Sequence, residues 1–215
     1  MSVYIREPVN GLTHLFGAIL SVAGLLALII KAAETSESAL AVIAVAIFGI
    51  SMILLYSASA TYHMVIAKDR VIAFLRRIDH SMIFVLIAGT YTPLCLISLQ
   101  GATGWILFGV ISAIAIAGVT FKLVWFHAPR LLSTLLYVAM GWIVIFYSSH
   151  LLPIIGGEGM FMLVLGGMFY TVGALIYWKK PKYLSFKHFG FHEIFHLFIL
   201  AGSLFHFVCI YGYVL

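Results

Sequence analysis

The sequence has very little charge: only 9% of its 215 residues are Asp, Glu, Lys or Arg, whereas 64% are hydrophobic. So few polar side chains cannot cover the surface of a water-soluble globule, which excludes a soluble enzyme or binding module. A mean hydropathy of +1.15 supports the same conclusion. We therefore predict an all-α membrane protein, in which spans of about 20 residues leave room for roughly seven helices and no sizeable soluble domain.

Cysteine is also scarce, and Cys95 and Cys209 both fall inside apolar segments. Their positions exclude a disulfide framework, and their spacing matches no metal motif. Acidic residues are outnumbered, which gives the chain a net charge of +5. Because the basic residues stand in short clusters between apolar runs, we expect membrane lipids with anionic head groups as partners, and no nucleic acid.

Apolar runs follow one another along the whole chain, so we predict one transmembrane domain over residues 1–215. Pro93 predicts a kink, and Gly101 with Gly104 predicts a turn. The first run is longer than the roughly 7 to 15 residues of a signal-peptide core, so we interpret it as a span. We predict seven transmembrane helices, at residues 12–30, 39–66, 78–99, 105–124, 131–152, 160–178 and 190–215.

The basic residues are distributed unequally over the two sides that seven spans would create. All twelve except Lys31 fall on the side of the N-terminus, whereas Glu34, Glu37 and Glu158 fall on the other side. Because cytoplasmic loops are enriched in Lys and Arg, this pattern predicts a cytoplasmic N-terminus and an external C-terminus.

Ionisable residues inside a membrane are candidates for function, because their burial in lipid is costly. Five such polar residues lie near the predicted cytoplasmic ends of three apolar runs, at one depth. They are Ser59 and His63 on the second run, Asp79 on the third, and His192 and His196 on the seventh. His192 and His196 are four residues apart, so both imidazoles lie on one helical face. We expect these five residues to converge.

Three imidazoles with one open position are the usual ligands of a catalytic zinc ion. We predict that His63, His192 and His196 bind Zn²⁺, which lowers the pKa of a bound water from about 15.7 to about 7. Asp79 either takes the fourth position or accepts the proton of that water, and Ser59 orients it. Because the amide and ester carbonyls of lipids lie at the same depth, the predicted reaction is hydrolysis of a lipid amide or ester.

Two other interpretations of these residues stay open. Hydrogen bonds among Ser, His and Asp would by themselves hold three helices together. Residues 192–196 also have the spacing of the zinc-protease motif, with Glu193 as the base, although such short loops suggest no large substrate cleft. We expect Glu193 to face the interface or a basic loop residue instead. His206, about 15 Å further along the helix, is too far away to bind the same ion.

These motifs resemble the progestin and adipoQ receptor family, and within it the bacterial haemolysin III branch. The similar stretches are Glu7 to Asn10, Thr13 with His14, Ser59 to His63, Arg77 to Ile83, Gly89 to Pro93, and His192 and His196 followed by His206. The resemblance implies a seven-helix bundle with zinc near the cytoplasmic leaflet, bound by His63, His192 and His196 and linked to Asp79 through water. His14, Glu7 and Asn10 are further candidates, which would support the ligands from behind.

The resemblance has implications for function as well. It implies a location in the bacterial inner (plasma) membrane, and a relation to membrane hydrolases that include the alkaline ceramidases, which act on acyl lipids such as ceramide. The name of the branch leaves two alternatives to an enzyme. One is a haemolysin-like protein that permeabilises membranes or regulates their state, and the other is a receptor or scaffold with structural zinc.

Overall fold

The computed structural model describes residues 4–36, 38–125, 128–181, 184, 186 and 189–215, which form helices and short connections. Within these described ranges, six helical segments are long and apolar enough to cross a membrane. Large hydrophobic side chains such as Phe16 and Phe161 cover their outer faces. Because such a surface is stable in lipid and not in water, the protein is an integral, multi-pass membrane protein of the all-α class. The loop residues Glu37, Lys182 and Lys187, which enter the predicted charge asymmetry, lie outside the described residues.

The helices follow one another without strands along the described chain. They are α1 (Pro8–Thr35), α2 (Ala39–Met64), α3 (Asp69–Pro93), α4 (Gly101–Val124), α5 (Arg130–Trp142), α6 (Ser148–Lys179) and α7 (Phe191–Cys209). Short helices of other types extend three of them. The π-helical turns Leu94–Leu99 and Ile210–Val214 continue α3 and α7, and the 3-10 turn Ile143–Tyr147 joins α5 to α6.

The helix α3 starts earlier than its apolar run, which begins at Ile78. It begins at Asp69, so Asp79 lies about 15 Å along the helix and not in its first turn. Hydropathy marks only the apolar part of a helix, and it therefore missed the charged turns that precede it. At the other end, Pro93 lacks an N–H and crowds the preceding turn, and the wider π-helical turn follows directly. The predicted kink is thus a change of helix type.

The segment from α5 to α6 contains a reversal of the chain. It is 50 residues long, which in one straight helix would measure about 75 Å, far more than the roughly 30 Å of a hydrocarbon core. Gly156 interrupts it with φ 70° and ψ 175°, a conformation that is open essentially to glycine alone. Nε1 of Trp142 donates to Oγ1 of Thr171 at 2.9 Å, although these residues would be about 44 Å apart in a straight helix. The two arms therefore lie side by side and meet at Gly156.

The helix α1 packs against α2 and α7 at a small residue. Gly17 faces Tyr56 of α2 and Leu200 of α7, and a Cβ at this position would lie 3.0 Å from the Tyr56 ring. The absence of a side chain lets α1 pack closely against both helices at once. This packing places the first turns of α1 beside the end of α2 and the start of α7.

Candidate metal centre

Three histidines meet where α2 ends and α7 begins. His63 is in the last turn of α2, and His192 and His196 are in the first two turns of α7. Their ring centroids form a nearly equilateral triangle, with separations of 4.8, 4.9 and 5.0 Å and steep interplanar angles of 68°, 75° and 78°. One nitrogen of each ring lies within 4.8 Å of the other two. Three inward-facing lone pairs of this kind suit a single metal ion.

Glu7 fixes the protonation of His63 from behind. Nδ1 of His63 donates to Oε2 of Glu7 at 2.5 Å, and this hydrogen bond holds the pKa of the Glu7 carboxyl below its ordinary value. Because Nδ1 carries the proton, Nε2 keeps its lone pair, and this buried atom has no hydrogen-bond partner among the described residues. A carboxylate behind the histidine and a free nitrogen in front of it are the usual arrangement at a zinc ligand. The donor set therefore fits zinc.

The segment before α1 holds Glu7 in this position. The backbone N–H groups of Arg6 and Glu7 donate to the carbonyls of Met64 and His63, at 3.4 and 2.9 Å. The Arg6 guanidinium also donates to the carbonyl of Tyr62 at 2.5 Å and lies 4.4 Å from the centroid of its ring. These carbonyls are at the end of α2, where a helix leaves acceptors open. Hydrogen bonds to the end of α2 thus hold the residues before α1 in place.

The first turns of α1 support His196 in a similar way. Nδ1 of His196 lies 3.5 Å from Oγ1 of Thr13, and its ring also interacts with the backbone carbonyl of Asn10. The Thr13 hydroxyl donates its own hydrogen to the carbonyls of Val9 and Asn10, so its oxygen is left to accept from His196. This contact places the proton on Nδ1 and leaves the second nitrogen for the ion. Sequence reasoning gave no role to Thr13, although its spacing from Asn10 puts both on one face of α1.

His14 lies against His196 of the histidine cluster. Its ring stacks on His196 with a centroid distance of 3.6 Å and an angle of 9°, and it meets the edge of Tyr56 at 5.1 Å. Neither nitrogen of His14 makes a hydrogen bond of ordinary geometry with the described residues. The contact with His196 is therefore one of packing, and it restricts rotation of the His196 ring.

Asp79 and Ser59 border the same centre from α3 and α2. The Asp79 carboxylate interacts with the Ser59 hydroxyl and lies within electrostatic reach of His63 and Glu7. Ser59 is one turn from His63 and only 1% exposed, and both Ser59 and Asp79 line an internal cavity. The structure thus brings together the five residues that we expected to converge. A carboxylate in this place is able to accept a proton from a group held at the histidines.

Glu193 has a different environment from the one that we expected. Its Oε1 accepts a hydrogen bond from Nδ2 of Asn10, and its Oε2 accepts one from the backbone N–H of Gly190, both at 2.8 Å. The side chain thus caps the start of α7 and joins it to α1, and it pairs with no basic loop residue among those described. Because both oxygens are engaged behind the histidines, Glu193 is poorly placed to act as the base of a protease.

His206 belongs to a separate group, as its distance from His196 predicts. Its Nε2 lies 3.1 Å from the carbonyl of Leu163, and its ring meets the edge of Tyr170. The hydroxyls of Tyr170 and Tyr56 lie 2.7 and 2.6 Å from Oγ of Ser203. These contacts join α2, α6 and α7 in the middle of the bundle, where isolated polar groups would be costly.

The internal cavity has a volume of about 480 Å³ and extends along the bundle from the histidines. Along α3 its lining runs from Arg76 to Leu94, about 27 Å. The end near the histidines is polar, and the part beyond it is lined largely by apolar side chains, including Leu86, Ile87 and Leu163. A polar centre at one end of a long apolar cavity is suited to an amphipathic ligand.

Comparison with known proteins places the chain in a family. The sequence profile of the family described as Haemolysin-III related matches residues 3–207. The chain belongs to the haemolysin III-related family. It is 41% identical over 217 aligned residues to Hemolysin-3 of Bacillus cereus, covering all of this chain and 95% of that protein. It is 40% identical over 209 residues to the Hemolysin-3 homolog of Bacillus subtilis (strain 168), covering 97% of this chain and 94% of the relative. The resemblance to the haemolysin III branch is thereby confirmed.

One residue beside the centre of this haemolysin III-related protein was missed by sequence reasoning. The ring of Tyr177 in α6 meets the rings of His192 and His80 edge-on, at centroid distances of 5.7 and 6.2 Å. Its hydroxyl lies 3.4 Å from Nε2 of His80. Tyrosine near a membrane interface is common, so nothing in the sequence pattern distinguishes Tyr177 from an ordinary interfacial residue.

Proposed function

We propose that this haemolysin III-related protein is a zinc-dependent hydrolase of lipid amide or ester bonds, ceramidase-like in its chemistry. The observation that carries the proposal is the convergence of His63, His192 and His196, with Glu7 fixing the orientation of the first. Their donor set favours zinc over calcium or magnesium, which prefer oxygen ligands. Purely structural hydrogen bonding would leave no reason for a buried, unbonded Nε2 on His63.

The residues around the centre have separate roles in the proposed reaction. Zinc held there supplies a Lewis acid that lowers the pKa of water to about 7. Asp79 accepts the proton during attack on the lipid carbonyl and returns it to the leaving group, and Ser59 orients the Asp79 carboxylate. The apolar part of the cavity holds the acyl chain. A volume of about 480 Å³ over a length of about 27 Å is long and narrow, which is the shape of an extended acyl chain.

The proposal includes a topology that places the reaction at the cytoplasmic leaflet of a bacterial plasma membrane. The reversal at Gly156 allows the two arms, residues 130–155 and 157–179, to cross separately, which makes seven crossings and puts the two chain ends on opposite sides. The basic residues around the histidine end support a cytoplasmic location for it. The opposite end carries Lys31 and the acidic residues Glu34 and Glu158.

The zinc site is tested by elemental analysis of purified protein. Wild type is expected to hold about one zinc per chain, and His196→Ala is expected to lose nearly all of it, because two imidazoles bind zinc far more weakly than three. His150→Ala is the matched control, since His150 is an exposed histidine outside the centre. Equal zinc content in His196→Ala and wild type would overturn the site.

Hydrolysis is tested by release of fatty acid from a panel of ceramides and acyl glycerolipids in detergent or vesicles. Asp79→Asn is expected to retain zinc and to lower the rate at least about 100-fold, because the proton acceptor is gone. A zinc-loaded wild type that releases no fatty acid from any lipid of the panel would overturn the enzymatic proposal.

The name of the Bacillus cereus relative supports a second candidate function, lysis of membranes. It predicts leakage of a small dye from vesicles that contain the protein. If leakage occurs equally in wild type and Asp79→Asn without lipid cleavage, lysis does not depend on hydrolysis. If wild type neither leaks dye nor cleaves lipid but unfolds without zinc, the zinc is structural.

A further inference from the structure

The cavity has an excess of positive charge at its polar end. Five basic residues line it, and they come from α3, α4, α5 and the residue after α6: Arg76, Arg77, Lys122, Arg130 and Lys180. Among the residues that the structure describes, only two carboxylates line the cavity, those of Glu7 and Asp79, and both belong to the histidine centre. A cluster of positive charge beside a cavity attracts an anion, and the attraction is strongest at a cation that is shielded from water.

Lys122 is the most informative member of this group, because it is buried on a membrane helix with 8% exposure. Its Nζ donates to Oγ of Ser133 at 2.9 Å. No carboxylate of the described residues lies within ion-pair distance of it. A lysine ammonium has three N–H donors, so the hydrogen bond to Ser133 leaves capacity for a ligand. Buried charges in membrane proteins are expensive and generally serve a function.

Three of the cationic groups act on the same histidine, His80. Lys122 and Arg76 are close enough to repel each other. Both also act electrostatically on His80, as does Arg130. The Arg130 guanidinium lies 5.7 Å from the centroid of the Tyr177 ring, whose hydroxyl faces His80. Three cations from three helices thus line one cavity and lie within electrostatic reach of His80, and we call Arg76, Lys122 and Arg130 the basic triad.

The basic triad adjoins the histidine centre. Tyr177 contacts both, since its ring centroid lies 5.7 Å from that of His192 and 5.7 Å from the Arg130 guanidinium. An anion bound at the basic triad would therefore have the histidines beside it and the apolar cavity beyond. This order matches a lipid with a phosphate head group, a carbonyl next to it, and acyl chains.

We propose that the basic triad binds phosphate, and that the ligand is a lipid whose phosphate monoester or diester lies there while its acyl ester faces the histidines. The inference rests on the proposed function only for the orientation of the carbonyl, and phosphate binding stands without hydrolysis. Arginine and lysine at one site suit phosphate, because guanidinium groups bind its oxygens in pairs and an ammonium adds a point charge. Free phosphate shares this chemistry, and the test distinguishes it from the lipid.

The experiment measures equilibrium binding to the full chain in detergent, by calorimetry or native mass spectrometry. The probes are dioctanoyl phosphatidic acid, dioctanoylglycerol, which lacks only the phosphate, and inorganic phosphate. Wild type is expected to bind the phosphatidic acid at least about tenfold more tightly than dioctanoylglycerol, since charge-assisted hydrogen bonds are the strong ones. Inorganic phosphate that binds as tightly as the phosphatidic acid would assign the site to the free ion and overturn the lipid.

Variants locate the binding. Lys122→Gln and Arg130→Gln are each expected to weaken phosphatidic acid binding about tenfold, with little change for dioctanoylglycerol, and Lys122→Arg is expected to restore most of it. Arg130 is exposed at the start of α5, so its substitution tests the site even where Lys122→Gln does not fold. Arg70→Gln is the matched control, an exposed arginine at the same end that does not line the cavity.

The outcomes separate this inference from the hydrolase. In His196→Ala, which is expected to lack zinc and hydrolysis, the preference for phosphatidic acid should remain. If it remains while no lipid is cleaved by wild type, the phosphate site stands and the hydrolase fails. Equal affinity for phosphatidic acid and dioctanoylglycerol, unchanged affinity in both Gln variants, or an equal loss in Arg70→Gln would each overturn the phosphate site.

Discussion

The pair formed by His63 and Glu7 connects a residue before the first helix to the candidate metal centre. The 2.5 Å hydrogen bond directs the Nδ1 proton away from the centre and makes Nε2 the donor atom. Thr13 performs the same task for His196 across a longer distance of 3.5 Å. Such supporting contacts orient the ring and raise the basicity of the nitrogen that binds the ion. They make metal affinity sensitive to residues that never touch the ion.

Glu7→Gln is expected to weaken zinc binding about 10- to 100-fold without abolishing it, because the amide accepts a weaker hydrogen bond from His63 than the carboxylate does. Competition with a chromogenic chelator measures the affinity. Glu158→Gln is the control, since Glu158 accepts a hydrogen bond from Tyr213 at 2.9 Å, away from the histidines. Identical zinc affinities in Glu7→Gln and wild type would mean that the carboxylate does not support the ligand.

The segment from α5 to α6 illustrates how one residue decides the course of a helix. Both Pro153 and the glycines that follow it are helix breakers in sequence, and they predicted a break between residues 152 and 160. Pro153 lies within α6, however, and only Gly156 leaves the helical conformation. Gly156 has φ 70° and ψ 175°, and a Cβ added there would meet no atom within 4 Å. The constraint at this position therefore comes from backbone conformation and not from crowding.

Gly156→Ala is expected to destabilise the protein by about 1 to 3 kcal/mol, because an L side chain is strained in this region of φ and ψ. The measurement is the thermal unfolding midpoint in detergent. Gly157→Ala is a closely matched control, since Gly157 is the next residue, has open space around it and is not in a positive-φ conformation. Its midpoint should stay the same or rise, because alanine favours a helix by about 1 kcal/mol over glycine. Equal decreases in the two variants would contradict this explanation.

At the scale of the whole molecule, the centre joins helices that are distant in sequence. His63 comes from α2 and His192 and His196 from α7, while α1 packs between them through Asn10, Thr13 and His14. An ion bound by α2 and α7 therefore favours the assembled bundle over any state in which these helices have separated. Metal binding is linked to stability in such a case, because the separated helices do not offer three ligands.

Removal of zinc is expected to lower the thermal midpoint of wild type. For zinc present at 100 times its dissociation constant, the free energy of unfolding should fall by about 2.7 kcal/mol. A chelator followed by zinc readdition tests both the loss and its recovery. His192→Ala should start at the lower midpoint and show little response to either treatment. A chelator effect of the same size in His192→Ala would assign the change to something other than this centre.

The proposed topology predicts which positions are accessible from outside an intact cell. A membrane-impermeant maleimide is expected to label Glu34→Cys and Glu158→Cys, whereas Arg70→Cys and Lys179→Cys should react only after the cells are opened. The native cysteines are buried and give a low background. Labelling of Glu158→Cys and Lys179→Cys from the same side would contradict a separate crossing by residues 157–179.

The sequence by itself determined the class of the protein, most of the helical segments and the meeting of the histidines at one end of the bundle. Scarcity of charge and long apolar runs act locally, and hydropathy reports them without knowledge of the fold. The sequence pattern also predicted that His63, Asp79 and the pair His192 and His196 form one candidate centre, because residues at one depth in neighbouring helices come close together. The helix ends were less well predicted, and α3 extends to Asp69 because charged turns carry no apolar signal.

Only the tertiary structure decided which side chains contact these residues. The contact of Glu7 with His63, the use of Glu193 as a cap bonded to Asn10, and the approach of Lys122 to Arg76 all depend on how helices are rotated and spaced. Hydropathy contains no information on those rotations. Two side chains at the same depth in the membrane can face different neighbouring helices, and their hydropathy is the same. The physical reason is that depth is a property of one helix, whereas side-chain contact is a property of several packed together.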